Sequence, residues 1–153
     1  MRYSAATLTV AVTAAFVGGL VVSSLTRYGV SDARADGIAN AHDLGSMKHG
    51  DIPTTPNPEM NSRLLVDTSN ATIAVQSGNV AKHIHPKTDE IQYIIEGSGS
   101  MWLGTERKEF KPGTLIVIPK GTPHAGTIVT SGPVKAIAIK IPPQPRDDVV
   151  LVN

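Results

Sequence analysis

The chain has 153 residues, 11 prolines and no cysteine, and its 14 basic residues nearly balance 13 acidic ones. This length provides for one domain, since domains contain roughly 100–200 residues. The absence of cysteine excludes disulfides and thiolate metal sites, and no clustered basic residues indicate a nucleic-acid-binding face. We therefore expect a small-molecule partner and no nucleic acid.

The first element is an apolar segment that predicts export. Arg2 precedes residues 5–25, which carry no charge, and an Ala-x-Ala site follows at residues 33–35. This order is typical of a secretory signal peptide, which we place in residues 1–35. The alternative is an uncleaved membrane anchor through residues 5–25, because about 20 apolar residues can cross a bilayer. Both interpretations predict an exported protein, periplasmic or secreted.

Proline-rich segments flank the central part of the chain. Residues 36–62 contain three prolines within six residues, which forbid a helix and predict a flexible, extended linker. His42 and His49 lie in this linker and are interpreted as solvated, since no periodic scaffold fixes them. Residues 143–153 follow further prolines and are predicted to form an extended tail along the surface.

The central residues 63–142 predict a small all-β barrel. Short β-rich runs alternate with Gly, Pro, Asn and Asp, and about eight strands fit this length. Such short connections cannot provide the crossovers of a parallel sheet, whereas a double-sheet jelly-roll barrel closes antiparallel strands. The predicted strands are residues 64–66, 71–76, 80–85, 90–95, 100–103, 115–118, 127–130 and 134–141.

Alternation along these strands separates a predicted core from an apolar outer face. The predicted core residues are Ile73, Val75, Ile94, Leu115 and Val117. The outer face carries Ile91, Tyr93 and Ile95. Such a face must be covered, either by flanking segments of the same chain or by a second copy in a homodimer.

Four residues in the β region have the chemistry of metal ligands. His83 and His85 are two residues apart on a predicted strand and face the same side, Glu90 opens the next strand, and His124 follows a tight turn. The His-x-His pair alone does not establish a metal site, because a histidine in a β domain is usually a surface or satisfied core residue. Two histidines with a carboxylate suit non-haem iron, and a third histidine also suits Mn, Ni or Zn.

Two motifs make the chain resemble the cupin superfamily. The first is Gly78-x4-His83-x-His85-x4-Glu90-x6-Gly97, and the second is Gly113-x5-Pro119-x-Gly121-x2-His124. The resemblance implies that His83, His85, Glu90 and His124 bind one divalent metal ion, which is Fe, Mn, Ni or Zn. The first glycine lies one residue nearer its histidine than is usual, and Ile128 stands where the family commonly has Asn.

The resemblance also implies a homodimer and a metal-dependent enzyme, either a dioxygenase or a lyase or isomerase, that acts on a small oxygenated molecule. The alternatives are a non-catalytic cupin that binds a small molecule and an accessory protein with a structural metal, because one fold hosts many chemistries. Glu90 is the one inward-facing residue that is a candidate for the catalytic transfer of a proton. Gln92 faces the same way and is the candidate to hydrogen-bond a substrate, although a strand-end Gln is more often exposed.

Overall fold

The computed structural model describes residues 39–152, whose regular structure is almost entirely β-strand. The expected all-β barrel is confirmed by antiparallel strands that form one curled sheet. A 3-10 helix, His49–Asp51, precedes the strands. The strands are β1 (Met60–Asp67), β2 (Thr72–Gly78), β3 (His83–Ile84), β4 (Asp89–Leu103), β5 (Glu106–Phe110), β6 (Leu115–Ile118), β7 (His124–Ile141) and β8 (Val150–Leu151).

The two longest strands, β4 and β7, pair along nearly their whole length. The pairing extends from Asp89 opposite Ile141 to Leu103 opposite His124. Its register shifts at four places, and such β-bulges bend strands so that a sheet can curl. Because β7 also pairs with β2 and β3 while β4 pairs with β5 and β6, this pair joins all the other ladders.

Two predicted interruptions of the strands are wrong. Residues 90–95 and 100–103 belong to the single strand β4, and residues 127–130 and 134–141 belong to β7. The glycines and prolines between them are accommodated as bulges within continuous strands. Strand β5 is not predicted by the sequence at all, because four of its five residues are exposed and the run lacks an apolar face.

The hydrophobic core lies between the inner faces of the curled sheet. Its members are Ile94, Met101, Phe110, Ile116, Ile118 and Ala136. Ile94 is a correctly predicted core residue, but Leu115 and Val117 are wrong, since they are 61% and 57% exposed. In β6 the alternate residues Ile116 and Ile118 face inward, so the strand has the opposite phase from the predicted one.

An N-terminal arm, residues 39–59, precedes β1 and is attached to the barrel by a buried lysine. Lys135 is 1% exposed. Its Nζ donates to the carbonyl of Met47 at 2.7 Å and lies 3.0 Å from Glu96 Oε2. Ile52 in the arm is 2% exposed. The part of the predicted linker from Met47 onward therefore packs against the barrel.

The two arm histidines differ in their surroundings. His42 is exposed and its side chain has no partner among the described residues. Nδ1 of His49 lies 2.9 Å from Ser77 Oγ, and Asn61 Nδ2 donates to the backbone carbonyl of His49 at 3.0 Å. His49 is also exposed, as the sequence analysis expects, but β1 and β2 supply it with partners that are distant in sequence.

A C-terminal tail, residues 142–152, returns across one end of the barrel. Its strand β8 pairs with β3, so that Leu151 is opposite His83 and Val150 is opposite Ile84. Asp148 is fully buried, and its Oδ1 accepts a hydrogen bond from the backbone N–H of Lys87 at 2.7 Å. The tail thus contributes a short edge strand, which the proline-rich sequence does not predict.

The predicted export segment, residues 1–35, lies outside the described residues. In the part of the chain that is described, no helix is long and apolar enough to cross a membrane.

We expect Gly99→Ala to destabilise the barrel. A Cβ at this position would lie 2.2 Å from the backbone carbonyl oxygen of Ile128, in the strand β7 with which β4 pairs. The free energy of unfolding should fall by about 2–3 kcal/mol, which corresponds to a melting temperature lower by roughly 10 °C. The control is Gly50→Ala, since a Cβ there meets nothing within 4 Å. Equal melting temperatures for the two variants, measured by circular dichroism, would contradict this packing.

Candidate metal centre

Three histidines meet at the end of the barrel that the C-terminal tail crosses. His83 in β3 pairs directly with His124 at the start of β7, and His85 follows His83 on the same side of the chain. All three side chains are buried, and one nitrogen from each lies within 4.8 Å of the others. The structure brings together the three histidines that the sequence indicates.

A backbone carbonyl orients each imidazole ring. The three hydrogen bonds are His83 Nδ1 to Ala81 O at 2.8 Å, His85 Nδ1 to Asp148 O at 2.6 Å and His124 Nδ1 to Thr122 O at 2.9 Å. A neutral imidazole has one N–H, so a ring that donates through Nδ1 keeps a lone pair on Nε2. The Nε2 atoms of His83 and His85 are 3.3 Å apart. Two acceptors therefore face each other, which calls for a cation between them.

The carboxylate of Glu90 completes this cluster. Glu90 is 2% exposed and opens the inward face of β4. Its Oε2 lies 3.0 Å from His85 Nε2 and 3.4 Å from His124 Nε2, and its Oε1 accepts a hydrogen bond from Gln92 Nε2 at 2.9 Å. Glu90 thus contacts two of the three histidines directly, and Gln92 holds the orientation of its carboxylate.

The protonation states of these groups leave lone pairs and a negative charge in the cluster. Burial lowers the pKa of His83 to about 4, so this ring is neutral at physiological pH. Burial alone would raise the pKa of Glu90. The imidazoles of His124 and His85, with smaller effects from Lys140 and Gln92, outweigh it and hold that pKa well below its usual value. The two rings stabilise the anion in this way only with a proton on Nε2, a position that a bound cation would take instead. Glu90 is therefore a carboxylate anion.

Two buried atoms of the cluster show that the residues fit a metal ion. Glu90 Oε2 and His124 Nε2 have no hydrogen-bond partner within residues 39–152. An unsatisfied buried polar atom costs about 1–3 kcal/mol, and a bound cation would remove that cost for both. Imidazole nitrogen and carboxylate oxygen are ligands that Fe, Mn, Ni and Zn accept. His83, His85 and His124 could hold such an ion, with Glu90 as a fourth ligand.

The cluster opens into a cavity of about 930 Å³, a volume suited to a small molecule. His83, His85 and Glu90 line its floor together with Gln92, whose role as a substrate-binding residue stays a prediction. Strands β1, β2 and β7 supply part of the remaining walls, and the N-terminal arm and the C-terminal tail supply the rest. The lining residues from those two segments are Thr55, Pro56, Asn57, Glu59, Gln144, Arg146, Val149 and Leu151.

The sequence analysis missed Lys140, which lines the cavity beside Glu90. The two residues are partners in the β4–β7 register, and both face inward. Burial lowers the pKa of Lys140, while the charges of Glu90 and Asp148 oppose that shift. Alternation gives the signal that finds it, because Ala136 and Ala138 are buried on the same face of β7.

The tail residues at the site could not be found from the sequence. Gln144 accepts a hydrogen bond from Lys140 Nζ, and its own Nε2 lies 3.3 Å from His85 Nδ1. Asp148 supplies the carbonyl that orients His85. Neither residue belongs to a periodic run, and their contacts depend on where the tail crosses the barrel.

Comparison with known proteins identifies the family. A family model described as a cupin domain matches residues 71–140, the part of the chain that holds all four residues of the cluster. Residues 71–140, a little under half of the chain, therefore form a cupin domain.

The similar proteins agree on the fold. An uncharacterised protein of Methanocaldococcus jannaschii is 37% identical over 71 residues, which are 46% of this chain and 57% of that protein. KdgF from Halomonas sp. is similar in structure, with a TM-score of 0.53 and 21% identity over 62% of this chain and 89% of that one. An RmlC-like cupin from Desulfovibrio desulfuricans has a TM-score of 0.54 at 20% identity, over 69% of this chain and 99% of that one.

A further similar structure is that of Pac13, described as a nucleoside dehydratase. Its TM-score is 0.52 at 19% identity, and the match covers 62% of this chain and 79% of that one. At these identities the solved structures show the fold alone. The chain spans little more than half of the curated relative that it matches, so activity and substrate are argued from its own residues.

We expect Asp148→Ala to weaken the affinity of the protein for a divalent metal ion about tenfold, since loss of a group that orients a ligand typically costs 10–100-fold. Without Oδ1 the tail loses its anchor on Lys87 and no longer holds its carbonyl against His85. Asp148→Asn keeps an acceptor oxygen and should bind metal nearly as tightly as the wild type.

Competition with a chelating dye measures these affinities. The matched control is Asp147→Ala, which removes an exposed ion pair with Lys87 and should leave the affinity unchanged. An Asp148→Ala protein with wild-type affinity would show that the tail does not position His85.

Proposed function

We propose that this chain is an exported, metal-dependent cupin enzyme that acts on a small oxygenated molecule. The observation that carries the proposal is the convergence of three Nε2 lone pairs and the Glu90 carboxylate on the floor of an accessible cavity. A structural metal needs no access, whereas a catalytic metal needs an open position for water or substrate. The cavity beside His83 and His85 supports the catalytic interpretation.

The proposed ligands are His83, His85 and His124, with Glu90 as the fourth. A bound divalent ion would supply a Lewis acid that polarises an oxygen of the substrate. The chain itself orients the ligands through three carbonyls and excludes water from the buried side of the cluster. Glu90 is the anionic group placed to accept a proton, and Gln92 fixes the direction of its carboxylate.

The cluster is compatible with three classes of enzyme, and we propose that the protein is a dioxygenase, a lyase or an isomerase. Pac13 is described as a nucleoside dehydratase, and structures of the Streptomyces protein are described with uridine. A dehydration is a lyase reaction that moves a proton, and a carboxylate next to the proposed metal suits that step. This likeness of fold supports testing hydroxylated substrates first.

Homodimerisation is part of the proposal and is supported by the outer face of β4 and β6. Tyr93 is paired with Leu115, and Ile91 with Val117. Tyr93, Leu115 and Val117 are 44%, 61% and 57% exposed, so residues 39–152 leave an apolar patch uncovered on this face. A second copy of the chain would cover it.

Export is supported by the composition of residues 1–35.

We expect His124→Ala to abolish metal binding, because it removes one of the three imidazoles and leaves Glu90 facing only His85. The measurement is metal content by inductively coupled plasma mass spectrometry on purified wild-type and variant proteins. His42→Ala is the control, since His42 is exposed and lies outside the cluster. Equal metal content in the wild type and in His124→Ala would overturn the proposed site.

Turnover is tested on the same preparations. Oxygen uptake with catechols and enediols detects a dioxygenase, and loss of water from nucleosides and sugar acids detects a lyase. Turnover that disappears in His124→Ala and persists in His42→Ala supports the proposal. If the wild-type protein binds metal and small molecules without converting them, the protein is a non-catalytic binding protein and the proposal of an enzyme is wrong.

A further inference from the structure

The cavity above the histidine cluster contains a buried lysine without an anionic contact. Lys140 is half-buried, and none of the described carboxylates lies within 4.0 Å of its Nζ. Its hydrogen-bond partner is the neutral side-chain amide of Gln144. An ammonium group has three donors, so two of them are available to a ligand. The carboxylates of Glu90 and Asp148 act on Lys140 only from a distance, so its partly desolvated ammonium group has no direct ion pair and can bind an anion.

A second cation lies at the exposed part of the same cavity. Arg146 lines the cavity from the C-terminal tail, is exposed, and makes no hydrogen bond or ion pair within residues 39–152. A guanidinium group matches carboxylate and phosphate oxygens with two parallel hydrogen bonds. The tail therefore places a cation at the entrance, while β7 places Lys140 at the floor.

The balance of charge in the cavity points the same way. Its charged lining residues are two carboxylates, Glu59 and Glu90, and two cations, Lys140 and Arg146, which cancel. A divalent ion held by the histidines and Glu90 would make the loaded cavity net positive, even when the adjacent buried carboxylate of Asp148 is counted, and would attract a negatively charged ligand.

The subsite lies next to the histidine cluster. Glu90 and Lys140 are opposite each other in the β4–β7 register. Gln144 lies between Lys140 and His85: its Oε1 accepts a hydrogen bond from Lys140 Nζ, and its Nε2 is 3.3 Å from His85 Nδ1. A small molecule bound to Lys140 would thus have its other end near the imidazoles.

We propose that Lys140 and Arg146 form an anion-binding subsite, and that the substrate is a small oxygenated molecule with a carboxylate or phosphate group. The inference rests on the proposed metal-dependent function, because the bound ion supplies the excess positive charge and the reacting end of the site. It adds the chemical class of the substrate, which the histidine cluster alone does not determine.

Isothermal titration calorimetry on the metal-loaded protein tests this subsite with malonate, inorganic phosphate and glycerol as probes. We expect at least one anion to bind and glycerol not to bind, and the preferred anion distinguishes a carboxylate from a phosphate site. Lys140→Met keeps the aliphatic stem and should weaken anion binding about tenfold or more. Arg146→Gln should weaken it several-fold, and because Arg146 is exposed this variant should fold normally.

Lys111→Met is the matched control, since Lys111 is exposed and lies outside the cavity. Metal content is measured on every sample, so that weak anion binding caused by loss of the metal ion is distinguished from weak anion binding caused by loss of the subsite. An anion that coordinates only the metal would bind Lys140→Met and Arg146→Gln as tightly as the wild type, and that result would overturn the subsite. Failure of both anions to bind the metal-loaded wild type would also overturn it.

Discussion

Three backbone carbonyls determine the chemistry of this barrel. Each accepts the single N–H of a neutral imidazole, so the lone pairs of His83, His85 and His124 converge beside the carboxylate of Glu90. A protonated imidazole would have no lone pair left to offer. Burial disfavours protonation of His83, because it lowers the pKa of this ring. Three imidazole acceptors beside a carboxylate are complementary to a metal ion, and the cavity opens directly beside them.

The metal cluster and the cavity walls have different structural origins. The four residues of the cluster lie on or beside β3, β4 and β7, whose pairing fixes their positions. Part of the cavity wall comes from the N-terminal arm and the C-terminal tail, which buried Ile52 and Lys135 and the β3–β8 pairing hold on the barrel. Changes of sequence in these two segments would alter the cavity without changing the central sheet.

The motif spacing and strand alternation predict much of the site, because both are local properties. They place His83, His85, Glu90 and His124 together, and alternation would also have found Lys140 opposite Glu90. The phase of β6 is not predictable in this way, since Leu115 to Ile118 are all apolar and alternation cannot say which two face inward. Contacts of the termini, such as Asp148 with His85, depend on a crossing 63 residues along the chain that no local pattern encodes.

X-ray absorption spectroscopy at the edge of the metal in the purified wild-type protein tests the metal centre most directly. The carbonyl-oriented rings predict multiple-scattering signals from three imidazoles, with nitrogen and oxygen ligands at about 2.0–2.2 Å. The same spectrum of His83→Ala should show the loss of one imidazole. A protein that retains no metal, or an ion without imidazole among its ligands, would contradict the convergence of the three Nε2 atoms on a bound ion.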